Sequence, residues 1–510
     1  MMRYGFVIDQ DRCIGCHACT VACKEEHQVP LGVFRTWVKY VEKGEFPHTS
    51  RHFGVLRCNH CDSAPCTTIC PTSALFRRSD GIIDFDNQIC IGCKGCMQAC
   101  PYDALYIDPN TNTAAKCNFC AHRVEANQEP ACVIVCPTQA IMAGDLDDGA
   151  SPVSRVVATQ KVSVRKPQKG TQPKLYYVGI EGDLLEPTRL ARQNTHMFAE
   201  RRDGHVSAGG FDAQSTREVY DVGHPAPWGW KISAYLWTKS ISAGVLLLES
   251  IPIGFRSDSI HLLYAPMVAL VMLAVTLGLL VLDLKRPDRF LYMLLKPNFR
   301  SWLVIGSFIL MAYGASALAW LLCGIFLQDV PGILVAVTAL LAVATACYSA
   351  FLFAQCRGRD LWQSPMFFFH LLMQAMIGGA ATLSLVSMTV PWSRADYAFK
   401  GLSGAAVSFL LLNLFVVLVE ISLPHVSADA KLAIDSMLRG KFRFTFWWRV
   451  VCLGMICPFL VLIAQVALGM LNRVENSDAY AAIIADVLAL YGLWWFEDVW
   501  VKAGQSVPLS

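Results

Sequence analysis

At 510 residues the chain is too long for one ordinary domain. Hydrophobic residues make up 54% and charged residues 16%, with a mean hydropathy of +0.40, a balance that points to a membrane protein. The formal charge of +3 excludes a general attraction to nucleic acid, and no nucleic-acid partner is expected.

The bias is uneven along the chain. Residues 1 to about 226 are polar and rich in Cys, Pro and Asp, whereas residues 227–500 are mostly apolar runs. The opening "MMRYGFVIDQDRC" has no apolar export core. Arg77-Arg78 and Arg201-Arg202 stand too far along to head a twin-arginine signal. The expectation is a reducing compartment, where dense cysteines hold metal instead of forming disulfides. Of 21 cysteines, 16 lie between Cys13 and Cys136; Cys323, Cys347, Cys356, Cys452 and Cys457 sit in apolar stretches and read as packing residues.

The sixteen fall into four groups: Cys13, Cys16, Cys19 and Cys23; Cys58, Cys61, Cys66 and Cys70; Cys90, Cys93, Cys96 and Cys100; Cys117, Cys120, Cys132 and Cys136. The third, "CIGCKGCMQACP", is the bacterial ferredoxin run C-x2-C-x2-C-x3-C-P, in which three thiolates wrap one cluster and the fourth reaches its neighbour. Proline follows Cys70, Cys100 and Cys136, fixing the backbone at that exit, but Lys24 follows Cys23. A zinc ribbon needs two C-x2-C pairs and explains neither these runs nor the prolines. Sixteen thiolates suffice for four 4Fe–4S clusters. The zinc alternative, a membrane-anchored adaptor without redox chemistry, would be separated by metal analysis.

Phrases such as "CNHCDSAPC", "KCNFCAHR", "ACVIVCPTQAIMAGD" and "QPKLYYVG" resemble the four-cluster electron-transfer subunits of molybdopterin oxidoreductases, the dimethyl sulfoxide and polysulfide reductase type. The resemblance covers residues 1 to about 186. It implies an α+β double ferredoxin-like iron–sulfur domain. It also implies a pairing: Cys13, Cys16 and Cys19 with Cys136; Cys117, Cys120 and Cys132 with Cys23; Cys58, Cys61 and Cys66 with Cys100; Cys90, Cys93 and Cys96 with Cys70. A separate molybdenum- or tungsten-pterin catalytic subunit is the implied partner.

Residues 201–227 are Gly-rich and polar and read as a surface linker. Eight apolar stretches follow, near 230–251, 260–282, 301–326, 332–354, 366–389, 401–423, 446–470 and 478–497, each long enough to cross a bilayer. The expected division is 1–190 for the cluster domain, 191–226 for the linker and 227–510 for an all-α polytopic bundle of eight transmembrane helices. Loops on the cluster-domain side carry twelve Lys and Arg, against Arg256, Arg394, Lys400 and Arg473 on the other side. The positive-inside rule then puts the cluster domain on the cytoplasmic face of the inner membrane.

The phrases "DLKRPDRFLYMLLKPNFRSW", "WGWKISAYLWTKSISAG" and "RDLWQSPMFFFHLLMQAMIGGAA" look like the NrfD-type membrane subunits of polysulfide reductases. That resemblance implies a haem-free bundle exchanging electrons with a membrane quinone, menaquinone or ubiquinone. Beyond residue 227 the histidines are His261, His370 and His425, and His370 alone lies well inside a stretch, so no haem is expected.

The quinone residues are sought near the cluster-facing helix ends. Lys231, Tyr235 and Lys239 share one face of the first stretch, with Lys239 about 12 Å deeper than Lys231. His370 pairs with Gln374, and Asn413 with Glu420, at helical spacing; Tyr348 and Gln355 lie on the fourth stretch. Lys231 and Glu249 have a bland reading as snorkelling residues, and the tyrosines as packing. Buried ionisable groups in spans are usually functional, so Lys239, Tyr235, Tyr348, His370 and Glu420 are taken as the candidate quinone or proton residues. No phosphate loop or nucleophile constellation offers substrate chemistry. The expected role is an electron-transfer and membrane-anchor subunit linking a catalytic partner to quinone. The alternative is a redox-driven proton-translocating module using Asp486 and Glu249.

Overall fold

The computed structural model describes residues 2–45, 47–192, 201–202, 205–206, 216–251, 260–388, 395–422, 427–470 and 477–510. Most of the predicted linker, the basic residues Arg256, Arg394 and Arg473, and His425 lie outside the described residues.

Seven strands make the two larger sheets: β1 (Tyr4–Asp9), β2 (Thr36–Glu45), β3 (His48–Arg57), β4 (Ile141–Asp145), β5 (Leu175–Val178), β6 (Ala191–Arg192) and β7 (Arg217–Tyr220). In the order β4-β1-β5, β1 pairs antiparallel with β4 (Tyr4 opposite Asp145) and parallel with β5 (Phe6 opposite Leu175). Phe6, Val7 and Ile8 are all buried, as a central strand requires. The second sheet runs β6-β7-β2-β3, around the long β2–β3 hairpin. The described end of the predicted linker is therefore not loose: β7 pairs antiparallel with β2, and Thr216 is buried.

Between these sheets the second and third cysteine groups repeat one local plan. Each runs into a short helix (Pro65–Ile69, Gly95–Ala99), exits at the last cysteine, and enters a small hairpin (Leu75–Arg77 with Ile83–Phe85, Leu105–Ile107 with Ala114–Lys116). This is a ferredoxin-type arrangement.

The second half is helical: α1 (Trp230–Ser250), α2 (Ala265–Asp283), α3 (Trp302–Phe326), α4 (Gly332–Ala354), α5 (Met366–Ser387), α6 (Ala395–Ser422), α7 (Ala428–Leu438), α8 (Cys457–Met470) and α9 (Ser477–Ser506). Among the described residues, six segments are long and apolar enough to cross a membrane: Ile260–Asp283, Trp302–Phe326, Gly332–Ala354, Met366–Ser387, Ala405–Ser422 and Thr445–Gln465. They account for six of the eight expected crossings. Helices α1 and α9 coincide with the first and last predicted stretches and differ from the six in their charge, carrying Lys231, Lys239 and Glu249, and Asp486, Glu497 and Asp498.

Helix α1 is the hub, packing against α2, α4, α5 and α9. Its approach to α5 depends on glycine. A Cβ on Gly244 would collide with the Ala375 carbonyl, and one on Gly379 with the Gly244 backbone. The last predicted stretch ends at 497, but α9 continues unbroken to Ser506. Glu497 therefore lies in the interior of the bundle instead of at its rim, and is buried.

The two halves meet along a hydrogen-bonded seam. In the segment between α2 and α3, Lys285 N and Arg286 N donate to Gly92 O and Ile91 O, both at 3.2 Å. Asn298 Nδ2 donates to Cys70 O at 2.8 Å and Ser301 Oγ to Ile69 O at 2.6 Å. Gly92 has φ of +67° and no room for a Cβ beside Lys285, so glycine is required there twice over. Further along, Arg359 Nε donates to Gln98 Oε1 at 2.9 Å, Gln98 Nε2 to Gln505 Oε1 at 2.6 Å, and Arg165 Nη2 to Leu509 O at 2.8 Å. Several loop cations counted as a topology signal thus bind the cluster half directly; Arg289 Nη1, for instance, donates to Asn87 O at 2.5 Å.

Candidate electron-transfer and quinone site

The cysteine loops share one backbone device. The residue before the second cysteine of every group is left-handed: Gly15 (φ 69°), His60 (φ 43°), Gly92 (φ 67°) and Phe119 (φ 63°). Reversing the chain there lets flanking thiols face one centre. Two positions use glycine, and His60 and Phe119 adopt the strained conformation with full side chains, held by burial.

Four sets of thiols result. Cys70, Cys90, Cys93 and Cys96 line one cavity. Cys13, Cys16, Cys19 and Cys136 line another. Burial and the neighbouring thiolates of Cys117, Cys132 and Cys120 push the Cys23 thiol up. Burial and neighbouring Cys100, Cys58 and Cys61 do the same to Cys66. Each set joins three cysteines of one run with one from another. The thiols also receive donors: Ala140 N to Cys136 Sγ at 3.2 Å, Ala114 N to Cys90 Sγ at 3.4 Å, and Arg57 Nη1 to Cys132 Sγ at 3.0 Å. Arg57 is fully buried, and burial opposes its charge. Nearby Cys132, Cys117 and Cys19 outweigh that, holding the guanidinium above its ordinary pKa.

Among the described residues no three His, Cys, Asp or Glu side chains converge tightly enough for a single metal ion, which a zinc tetrahedron with sulfurs at about 2.3 Å requires. Thiols spread around a cavity fit a larger cube of iron and sulfide. The residues present fit 4Fe–4S clusters and do not fit the zinc reading.

A third cavity, of about 300 Å³, lies where α1, α2, α3 and α4 meet the third cysteine loop. Its walls are almost wholly apolar, with Leu280, Leu303, Leu310 and Phe353 among them. Cys93 and Ile91 form part of one wall, and Tyr235 and Tyr348 bring polar handles. Trp228 lines it too, donating Nε1–H to Cys93 O at 3.3 Å. Behind the tyrosines, Lys239 Nζ donates to Ala346 O at 2.6 Å and to Ser349 Oγ at 3.0 Å, and lies 5.2 Å from the Tyr348 ring centroid. Tyr235 OH reaches the same Ser349 hydroxyl at 3.3 Å. Ser349 therefore joins Tyr235 to Lys239.

Lys231, by contrast, caps a helix end, its Nζ donating to Leu282 O at 2.7 Å. His370 and Glu420 are not brought to this cavity. His370 packs 5.3 Å from the Phe496 ring and 5.7 Å from Trp500, with neither ring nitrogen bonded among the described residues. Glu420 accepts from Ser364 Oγ at 3.0 Å, near the start of α5. Asp486 lies buried beside Ser384, and Glu249 meets His261 Nδ1 at 3.0 Å. Two residues escaped the sequence reading. Ser349 gives no signal, because a hydroxyl in an apolar helix usually bonds its own backbone. Glu497 was visible as a charge in "LWWFEDVW" but stood at the supposed end of a span. Its carboxylate is buried within electrostatic reach of Lys239, with both oxygens unbonded among the described residues.

A thiol-lined, ferredoxin-type half seated on a bundle of apolar helices defines a membrane-bound iron–sulfur electron-transfer protein. The chain is a member of the polysulphide reductase NrfD family, whose pattern matches residues 218–505. Ahead of that region, residues 50–146 match a 4Fe-4S dicluster domain and residues 4–25 a 4Fe-4S binding domain. The first half is similar to the B subunit of the Salmonella typhimurium tetrathionate reductase, 44% identical over 36% of this chain and 76% of the relative. It is also similar to the B polypeptide of the Wolinella succinogenes polysulfide reductase, 40% identical over 34% of this chain and 94% of the relative. Protein NrfC of Escherichia coli is 45% identical over 35% and 81%. One polypeptide thus unites an iron–sulfur subunit with an NrfD-type membrane subunit.

Proposed function

We propose that the chain carries electrons between a catalytic partner subunit and a membrane quinone through four 4Fe–4S clusters, quinone chemistry taking place in the apolar cavity. The observation that carries this reading is the cavity's composition, with Cys93 in one wall and Tyr235 and Tyr348 in others. A quinone's ring and isoprenoid tail suit such walls, and its carbonyls need the few donors that are present. When bound, the clusters supply one-electron steps. The chain's own residues do the rest. The hydroxyls of Tyr235 and Tyr348 orient the carbonyls, and the Lys239 ammonium, relayed through Ser349, favours the charge that develops on reduction. Glu497 balances that ammonium.

The other end of the route is the Cys13, Cys16, Cys19 and Cys136 set, where Cys16 is exposed. Around it Ile14, Val21 and Ile134 are 57%, 64% and 57% exposed, an apolar patch suited to a docked partner. The relatives named above include subunits of tetrathionate and polysulfide reductases, which favours a molybdopterin-type catalytic partner. The bundle crosses the inner membrane eight times, α1 and α9 supplying two crossings, with the cluster domain cytoplasmic.

The test is reduction of the clusters by a quinol analogue in anaerobically purified protein. About sixteen iron atoms per chain and bleaching of the cluster absorbance on quinol addition are expected. Clusters that dithionite reduces but quinol never does would overturn the reading.

A further inference from the structure

A second large cavity, of about 490 Å³, lies against the other side of the third cysteine loop, and its wall is more polar than that of the first. Lys94, Asp103, Asn112, His224 and Lys285 are among its lining residues. Trp37 also lines it, its ring 5.3 Å from that of His224. One ion pair stands between the two cavities. Lys94 belongs to the polar wall and Asp283 to the apolar wall, and Lys94 Nζ holds the two Asp283 oxygens at 2.9 and 2.8 Å. Lys231 and Lys285 add positive charge around the same carboxylate. Within the polar cavity His224 Nδ1 lies 3.0 Å from Asp103 Oδ2, and its Nε2 lies 3.9 Å from Asp221, which in turn pairs with Lys39. Among the described residues the apolar cavity has no other carboxylate in its wall.

Quinone exchange needs protons as well as electrons. We propose that the polar cavity is the proton port of the quinone site, Asp283 exchanging protons with the bound quinone and His224 with Asp103 passing them to water at the cluster-domain side. The inference rests on the quinone reading given above. Oxidation of one quinol breaks two O–H bonds; two electrons leave toward the Cys93 side, and two protons leave through Asp283 into the polar cavity. Reduction runs the same route backwards. Lys94 is a positioning residue, fixing the Asp283 carboxylate at the boundary. The arrangement separates the two products of one reaction onto opposite sides of a single loop, residues 91–94.

The test uses the full chain with assembled clusters, oxidising a quinol analogue with ferricyanide as terminal acceptor. His224→Ala is expected to lower kcat about tenfold with KM for quinol unchanged, and to enlarge the solvent deuterium effect. Imidazole in the buffer should restore the rate, and dithionite should still reduce the clusters fully. Asp283→Asn should show the same loss without rescue, and Asp283→Glu should recover part of it. Wild-type kcat and isotope effect in His224→Ala would overturn the port. So would a loss that imidazole does not restore, since that marks a structural role. If Asp283→Asn fails to assemble its clusters, the His224→Ala result with imidazole decides alone. A wild-type protein that cannot oxidise quinol would instead refute the quinone reading itself.

Discussion

In the cluster half, the buried lysines Lys39, Lys116 and Lys174 are answered by oxygen, whereas Lys166 Nζ has no hydrogen-bond partner among the described residues. Lys39 meets Glu218 at 2.6 Å, Asp221 at 3.2 Å and Ser510 O at 3.0 Å. Lys116 bonds the carbonyls of Ile83 and Cys117, and Lys174 reaches Gly81 O at 2.6 Å and Asp62 at 3.2 Å. In the bundle, Glu497, His370 and Gln374 are as deeply buried yet have no hydrogen-bond partner among the described residues. An unanswered buried polar group costs about 1–3 kcal/mol, more when charged. Groups tied to carbonyls hold a scaffold whose chemistry comes from the thiols, whereas the open groups in the bundle interior are free to meet a substrate, a proton or water. Lys239 stands between the two cases, since it bonds the scaffold through Ala346 and the cavity tyrosine through Ser349.

The contrast breaks most severely at Cys93, the thiol common to both cavities. Cys93→Ala should remove one cluster, lowering iron by about four atoms per chain, and abolish quinol-driven reduction of the rest. Retained quinol reduction would mean that electrons enter by another wall. A smaller effect is expected at Lys239. Lys239→Met should slow quinol turnover about tenfold or more while leaving the cluster spectrum intact, and Ser349→Ala should lose part of that. Full turnover in both variants would make the pair scaffold, and the division between the two interiors would then fall elsewhere.

The least effect is a pH dependence at the seam. Lys166 is buried beside Asp429 at 3.9 Å, and burial lowers its pKa from 10.5 to about 7. The docked state therefore binds fewer protons there than a separated one. Docking is penalised most below pH 7 and strengthens as pH rises toward 10.5, by a few kcal/mol at most. Resistance of the cluster half to protease, measured from pH 7 to 9.5, should rise in the wild type and stay flat in Lys166→Met. A flat wild-type profile would show that Lys166 keeps its charge on docking.

Much of this was legible in the residues. Cysteine spacing is a direct record of chemistry, because ligands must recur at intervals the backbone can wrap, and the run from Cys90 to Cys100 announces itself. The left-handed turns at Gly15 and Gly92 are equally readable, but those at His60 and Phe119 are not, since nothing local requires them. Lys239 stood out as a charge within an apolar run. The cavity did not, because four helices and a loop some 140 residues away in sequence build it together. His370 and Glu420 have the same helical spacing as the other candidates, and packing sets them beside other neighbours than the cavity.

The seam also sets a timetable. Synthesis proceeds from residue 1, so Cys136 is made about 370 residues before Gln505, roughly twenty to seventy seconds at about 5–20 residues per second. Through that interval Gln98 lacks Gln505 and Arg165 lacks Leu509, and through its first half the carbonyls of Ile69 and Cys70 wait for Ser301 and Asn298. The thiols around Cys93 stay open to iron and sulfide until the helices close over them. Fusing the two halves thus leaves an opening for metal loading before enclosure, set by the direction of translation.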